Sequence, residues 1–268
     1  MKLTFQSAIW LLVFAALLLN SCNKKESPGN EPEPVVTQKK YKCTDGKCEE
    51  SEQGVYNSVQ ECQDACPQKY STVTDVKGKE YKTVRIGNQH WMAENLAVNS
   101  FNDGTAIPFV SNRYDWTGTN LPALAHNWNQ GDYIDRYGYL YNFYVVKSAK
   151  NVCPAGWHIP TKEEWDELIN HLSGNTVAGE AMKDSVNLWS FSSKKGNNSS
   201  GFSGLPGGHR ETDDKASFTY ISSMGFWWSS TNVQNLGGYG FRLLYNDYSA
   251  KSGQYSNNMG LCIRCIED

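Results

Sequence analysis

Between Asn151 and Leu168 the chain reads NVCPAGWHIPTKEEWDEL, a dense set of reactive side chains: a thiol at Cys153, an imidazole at His158, and carboxylates at Glu163, Glu164, Asp166 and Glu167. A thiol near an imidazole could form a nucleophile and base, and carboxylates around a histidine could share a proton or hold a metal. The spacing argues for another use. Thr161 is followed three residues later by Glu164, a capping box, and Trp165, Leu168, Ile169 and Leu172 then recur at helical spacing until Gly174. Lys162, Glu163, Asp166 and Glu167 fall off that apolar stripe and read as a solvated helix face. His158, just before the helix, is expected to satisfy backbone groups in the turn. Cys153 is expected to tie the loop to the C-terminal segment, where Cys262 and Cys265 are both available.

Other reactive patterns are missing from the sequence. GFSGL (201–205) lacks the last Gly of a nucleophile elbow, no H-E-x-x-H occurs, and no Gly-rich loop follows a strand and opens a helix. Cys43, Cys48, Cys62 and Cys66 fall in a short stretch with the spacing C-x4-C-x13-C-x3-C, without the tight paired knuckles of structural zinc sites. Disulfides are the expected use, because so short a segment cannot close a hydrophobic core and cross-links must supply its stability, at about 2–4 kcal/mol each. Ser58 with Glu61 should cap a short helix carrying Cys62 and Cys66, both reaching back to Cys43 and Cys48 in an open pairing. No metal or other cofactor is expected.

An oxidising compartment is implied by the N-terminus. Lys2 precedes an apolar run from Ile9 to Leu19, too short to span a bilayer, which ends in Leu19-Asn20-Ser21-Cys22. That junction is similar to the lipobox of bacterial lipoproteins, so residues 1–21 read as a signal peptide and Cys22 as the lipidated residue. Residues 22–40, rich in Pro, Glu and Lys, form a tether with nothing to bury. Asn23 stands where Asp would suggest inner-membrane retention, so the resemblance points to the outer membrane, on its cell-surface or periplasmic face. Residues 41–68 form the small cysteine module, and residues 69–268 are long enough for one domain with its own core.

In that domain, Glu80 to Ile86, Gly87-Asn88 and Gln89 to Ala93 predict a β-hairpin with Val84 and Ile86 on one face. GFWWSST (225–231), GYGFRLLYN (238–246) and GLCIRCIED (260–268) predict short strands between Asn, Gly and Ser loops. The fold class is α+β, with much loop.

The runs VTDVKGKEYKTVRIGNQHWMAENL, NDGTAIP, YGYLYNFYVV, CPAGWHIPTKEEW, SGFSGLPGGHR, GFWWSST and IRCIED, in that order, resemble the Fibrobacter succinogenes major paralogous domain over Val73 to Asp268. HIPTKEEW is in turn similar to a motif of the formylglycine-generating enzymes. Together the two likenesses imply a C-type-lectin-like fold: a small irregular antiparallel sheet, two helices and long loops. By resemblance Leu140 to Val146 would be the first helix, whereas its alternating aromatics suggest a strand. The family pattern places Cys at the position of Cys265, which implies a Cys153–Cys265 bridge and leaves Cys262 as a buried, inert thiol. The formylglycine-generating enzymes use a copper-binding Cys pair. The nearest counterpart, Cys262 and Cys265, lies three apart on one expected strand, so the two side chains point to opposite faces.

Lectin-type calcium binding is not supported either. Only Tyr245-Asn246-Asp247 resembles half of the usual ligand set, and other oxygen-ligand arrangements through Asp213, Asp214 or Asp247 stay open without support in the sequence. What remains is the aromatic content. Trp and Tyr can stack on sugar rings while polar neighbours bond hydroxyls. Trp91, Trp157, Trp165 and Trp227 are expected to build the core. Trp228, Tyr239, Tyr245 and Tyr248, with His209, Arg210, Arg242, Asn246 and Asp247, are the candidate ligand-binding residues. The formal net charge of -3 and the lack of a basic patch exclude nucleic acid as the expected partner. The expected function is a non-catalytic envelope lipoprotein that binds a glycan or a protein. The alternatives are a structural lipoprotein and an enzyme related to formylglycine generation.

Overall fold

The computed structural model describes residues 39–44, 47–66, 69–213 and 215–268. The expected signal peptide, Cys22, most of the expected tether and Asp214 lie outside the described residues.

The strands, in chain order, are β1 (Tyr41–Thr44), β2 (Lys47–Glu50), β3 (Tyr70–Thr74), β4 (Glu80–Ile86), β5 (Gln89–Met92), β6 (Leu124–Ala125), β7 (Leu140–Tyr141) and β8 (Trp157–His158). They continue with β9 (Gly207–Arg210), β10 (Phe218–Ile221), β11 (Met224–Val233), β12 (Gly237–Leu244), β13 (Ala250–Ser256) and β14 (Ile266–Glu267). The helices are α1 (Val59–Ala65), α2 (Arg113–Gly118), α3 (Ile134–Tyr137), α4 (Phe143–Val146), α5 (Lys162–His171) and α6 (Ala178–Met182). The architecture is α+β, as expected.

In the cysteine module β1 pairs antiparallel with β2, which sets Cys43 directly opposite Cys48. The Ser58 side chain accepts from Glu61 N, and Glu61 Oε2 accepts from Asn57 N, so α1 begins on the expected cap. The bridges are Cys43–Cys66 and Cys48–Cys62, which resolves the open pairing. Disulfides, not zinc ligands, are the use of these cysteines.

Two five-stranded sheets organise the rest, in the orders β3-β4-β5-β14-β8 and β10-β9-β11-β12-β13. The expected hairpin is β4 and β5, with Gly87 at φ 61° in its turn and Val84 and Ile86 both buried. The C-terminal β14 inserts between β5 and β8, so the chain's last residues close the first sheet. The Cys153–Cys265 bridge fastens the residue just before β14 to the loop that leads into β8.

Helix α5 carries the capping box: Thr161 Oγ1 accepts from Glu164 N, and Glu164 Oε2 accepts from Thr161 N. Its stripe of Trp165, Leu168 and Ile169 packs with Val84, Ile86 and Trp91 of the first sheet and with Trp227, Phe241 and Leu243 of the second. The Trp165 ring lies 4.8 Å from Trp91 and 5.0 Å from Phe241, which makes this helix the wedge between the sheets. Thr161→Ala removes a hydroxyl that caps the helix and should lower stability by about 1 kcal/mol in a urea titration.

Three sequence expectations need correction. Leu140–Val146 is neither all helix nor all strand: β7 ends at Tyr141, and Asn142 caps the single turn of α4 by accepting from Val145 N. The C-terminal segment is not one strand, because Gly260, Leu261 and Cys262 bridge three different partners, Arg210, Tyr141 and Trp227, before β14 begins. His158 meets carboxylates instead of backbone: its Nδ1 lies 2.6 Å from Asp268 Oδ1 and its Nε2 3.0 Å from Glu164 Oε1. Burial pushes the His158 pKa down, but the two carboxylates outweigh it and hold the group above its ordinary value. The clamp therefore contributes stability fully below the unfolded value of about 6.5 and loses it as pH rises through the higher folded pKa. Thermal melts should show the melting temperature of the wild type falling through that window more than that of His158→Gln.

Candidate ligand-binding surface

The strand β11 has core on both sides, and this decides the fate of the predicted aromatics. Trp227 joins the cluster around α5, while Trp228 enters the cluster with Phe143, Tyr255 and Leu261. Trp228 is fully buried and its Nε1 donates to Tyr141 O at 2.7 Å. It is a core residue, like Trp91, Trp157, Trp165 and Trp227, and not a stacking surface.

Arg210 and His209 are corrected in the same way. Arg210 is 1% exposed and donates to the carbonyls of Val110, Ser111, Asn112 and Ala216, between the rings of Trp116 and Phe218 at 4.4 and 5.0 Å. His209 is also buried, with Nε2 2.7 Å from Glu211 Oε1. Burial lowers its pKa against the pull of Glu211, which favours the neutral ring.

Two more buried cations repeat the use made of Arg210. Arg264, wholly buried, donates from Nε to Asn95 Oδ1 at 2.9 Å, from Nη1 to Phe202 O and from Nη2 to Ser203 O, over the Phe202 ring. Lys183, 1% exposed, donates to Lys194 O, Leu244 O and Asp247 O, near the rings of Trp189 and Tyr248. Burial brings Lys183 down to about 8. Each cation gathers several backbone carbonyls, most of them in loops, which is how long loops are held without regular structure.

The remaining predicted residues lie at the β12–β13 end of the second sheet. Tyr239 and Arg242 are half-buried: Gln254 Nε2 donates to the Tyr239 hydroxyl and Arg242 Nη1 to that of Tyr255. Asn246 is exposed at the turn. Asp247 accepts from Ser249 N, Ser249 Oγ and Lys251 Nζ, so its carboxylate is held well below the usual range and is engaged within the protein. Tyr248 is flanked by Lys183 and Lys194. Tyr245 lines a cavity of about 220 Å³.

The other walls of that cavity come from residues 183–196, which the sequence reading passed over. Trp189 is half-buried and donates its Nε1 to Gly204 O, while Phe191 stands 93% exposed at the same loop. Asn187, Ser190 and Ser192 add amide and hydroxyl groups. The available signal was NLWSFSSKKG, where two aromatics sit among Ser, Asn and Lys with no helical or strand period to bury them.

Cys262 and Cys265 take opposite sides, as expected, although they do not share a strand. Cys265 joins the cluster around Cys153 and is bonded to it, and Cys262 lies in the α5 cluster as a buried free thiol. Burial pushes the Cys262 thiol up to about 12. Iodoacetamide should leave it unmodified in the native protein and label it once denaturant is added, as read by intact mass.

A family model described as the Fibrobacter succinogenes major domain matches residues 84–267, more than half of the chain. No curated protein matches, and no solved structure matches. On that match, the chain belongs to the Fibrobacter succinogenes major domain family.

Proposed function

We propose that this chain is an outer-membrane lipoprotein, anchored through Cys22, whose lectin-like domain is a non-catalytic binding module for a glycan or protein ligand. The observation that carries the reading is the cavity walled by Trp189 and Tyr245 and rimmed by the exposed Phe191, with hydroxyl and amide groups between the rings. Aromatic faces interleaved with small polar groups suit polar ligands with apolar ring faces. The non-catalytic part is supported by Cys265 being spent on a disulfide and Cys262 being buried, so the two cannot act as a metal-binding pair.

Retention of polysaccharides and envelope extracts by the bead-displayed full chain tests this reading. Phe191→Ala combined with Tyr245→Ala should cut retention several-fold while the melting temperature stays close to that of the wild type. Equal retention by both forms would favour a purely structural role. The anchor is tested separately: Cys22→Ala should move the protein out of the detergent phase, and continued membrane partitioning after processing would refute lipidation.

A further inference from the structure

A second cavity, of about 360 Å³, adjoins the first and shares the segment Asp184–Val186 as a common wall. It runs from that segment past Tyr70, Tyr81 and Asn95 to the turn of α3. Two cavities along one wall suit an extended chain better than a compact molecule.

The charges of this double cavity do not match those of the protein. The chain as a whole carries a formal charge of -3. The cavity walls hold Lys79, Lys82, Arg136, Lys194 and Lys195 besides the buried Lys183. Against them stand three carboxylates, and each already has a partner: Asp135 lies 3.9 Å from Lys79 Nζ, Glu94 accepts from Lys82 N, and Asp184 accepts from Val186 N. Lys183 spends its ammonium on three carbonyls. Lys82, Arg136, Lys194 and Lys195 are exposed, and no carboxylate within the double cavity pairs with their charged ends. Lys82 and Arg136 line the second cavity, and Lys194 and Lys195 the first.

We infer that the ligand is a linear acidic glycan, a chain of pyranose rings bearing carboxylates, that crosses Asp184–Val186 and occupies both cavities. This rests on the binding-module reading and narrows it. Trp189, Phe191 and Tyr245 meet ring faces in the first cavity and Tyr70 flanks the second, while the four cations meet the ligand's carboxylates. Affinity should then depend on chain length, on ligand charge and on salt, because contacts between exposed charges are screened within about 8–10 Å at moderate ionic strength.

The full chain in detergent would be titrated by calorimetry with di- and hexagalacturonate and with uncharged cellohexaose. Hexagalacturonate is expected to bind at least about tenfold more tightly than either of the others, with affinity falling as salt is raised. Lys82→Gln with Arg136→Gln should erase most of the gain from di- to hexasaccharide. Equal affinity for cellohexaose, no gain with length, or no binding of hexagalacturonate would each overturn the inference. If cellohexaose binds equally well and its binding still depends on Phe191 and Tyr245, the binding-module reading survives and only the acidic ligand fails. If the loss of Phe191 and Tyr245 changes nothing in any titration, the binding-module reading fails itself.

Discussion

Arg264→Met is expected to destabilise the domain by about 3–5 kcal/mol, measured as a shift of the urea midpoint at constant slope. Replacing a buried ion pair by apolar residues is often harmless because both charges leave together. Here a lone cation leaves and its neutral acceptors stay. The carbonyl of Phe202 remains buried and that of Ser203 half-buried beneath the deleted guanidinium, and Asn95 Oδ1 keeps only the Trp227 indole. Each stranded acceptor costs about 1–3 kcal/mol, which decides the sign. Lys183→Met should behave alike, since three carbonyls lose one ammonium. It should also loosen residues 184–196, so its loss of ligand retention should exceed that of Arg264→Met when both are assayed well below their melting temperatures.

The second large effect belongs to the disulfide between Cys153 and Cys265, which closes a loop of sequence separation 112. Loop-closure entropy alone assigns a bridge of that span about 4–5 kcal/mol. Cys153→Ala with Cys265→Ala should therefore lose about 4 kcal/mol, and native protein should resist thiol reductants because both sulfurs are fully buried. The module bridges span 23 and 14 residues and, with little apolar core around them, should be reduced first. Mass spectrometry after graded reduction would give the order.

What could be read from sequence was local. The β4–β5 hairpin and the α5 capping box follow from residues within a few positions of each other, and both are present. Cys262 and Cys265 do part as expected, but the single strand from which this was read is not there. The burial of Trp228 could not be read that way, because alternation exposes one face of a strand only when a single face is covered, and β11 is covered on both. His158 finds Asp268 across 110 residues, and Arg210 finds Val110 across 100, so neither partner is visible from neighbouring positions. The strand β13, AKSGQYS, carries almost no apolar period because it lies at a sheet edge with exposed positions. Residues 183–196 were missed for the converse reason: their aromatics belong to a loop, where no period points them inward or outward.

The most direct test of the binding-module account is amide chemical-shift mapping of the full chain, titrated with a saccharide that it retains. The account predicts perturbations concentrated at residues 184–196 and 245–248, with the saccharide recovered intact at the end of the titration. Perturbations confined to the surroundings of His158 and the C-terminus, or cleavage or oxidation of the saccharide, would contradict it.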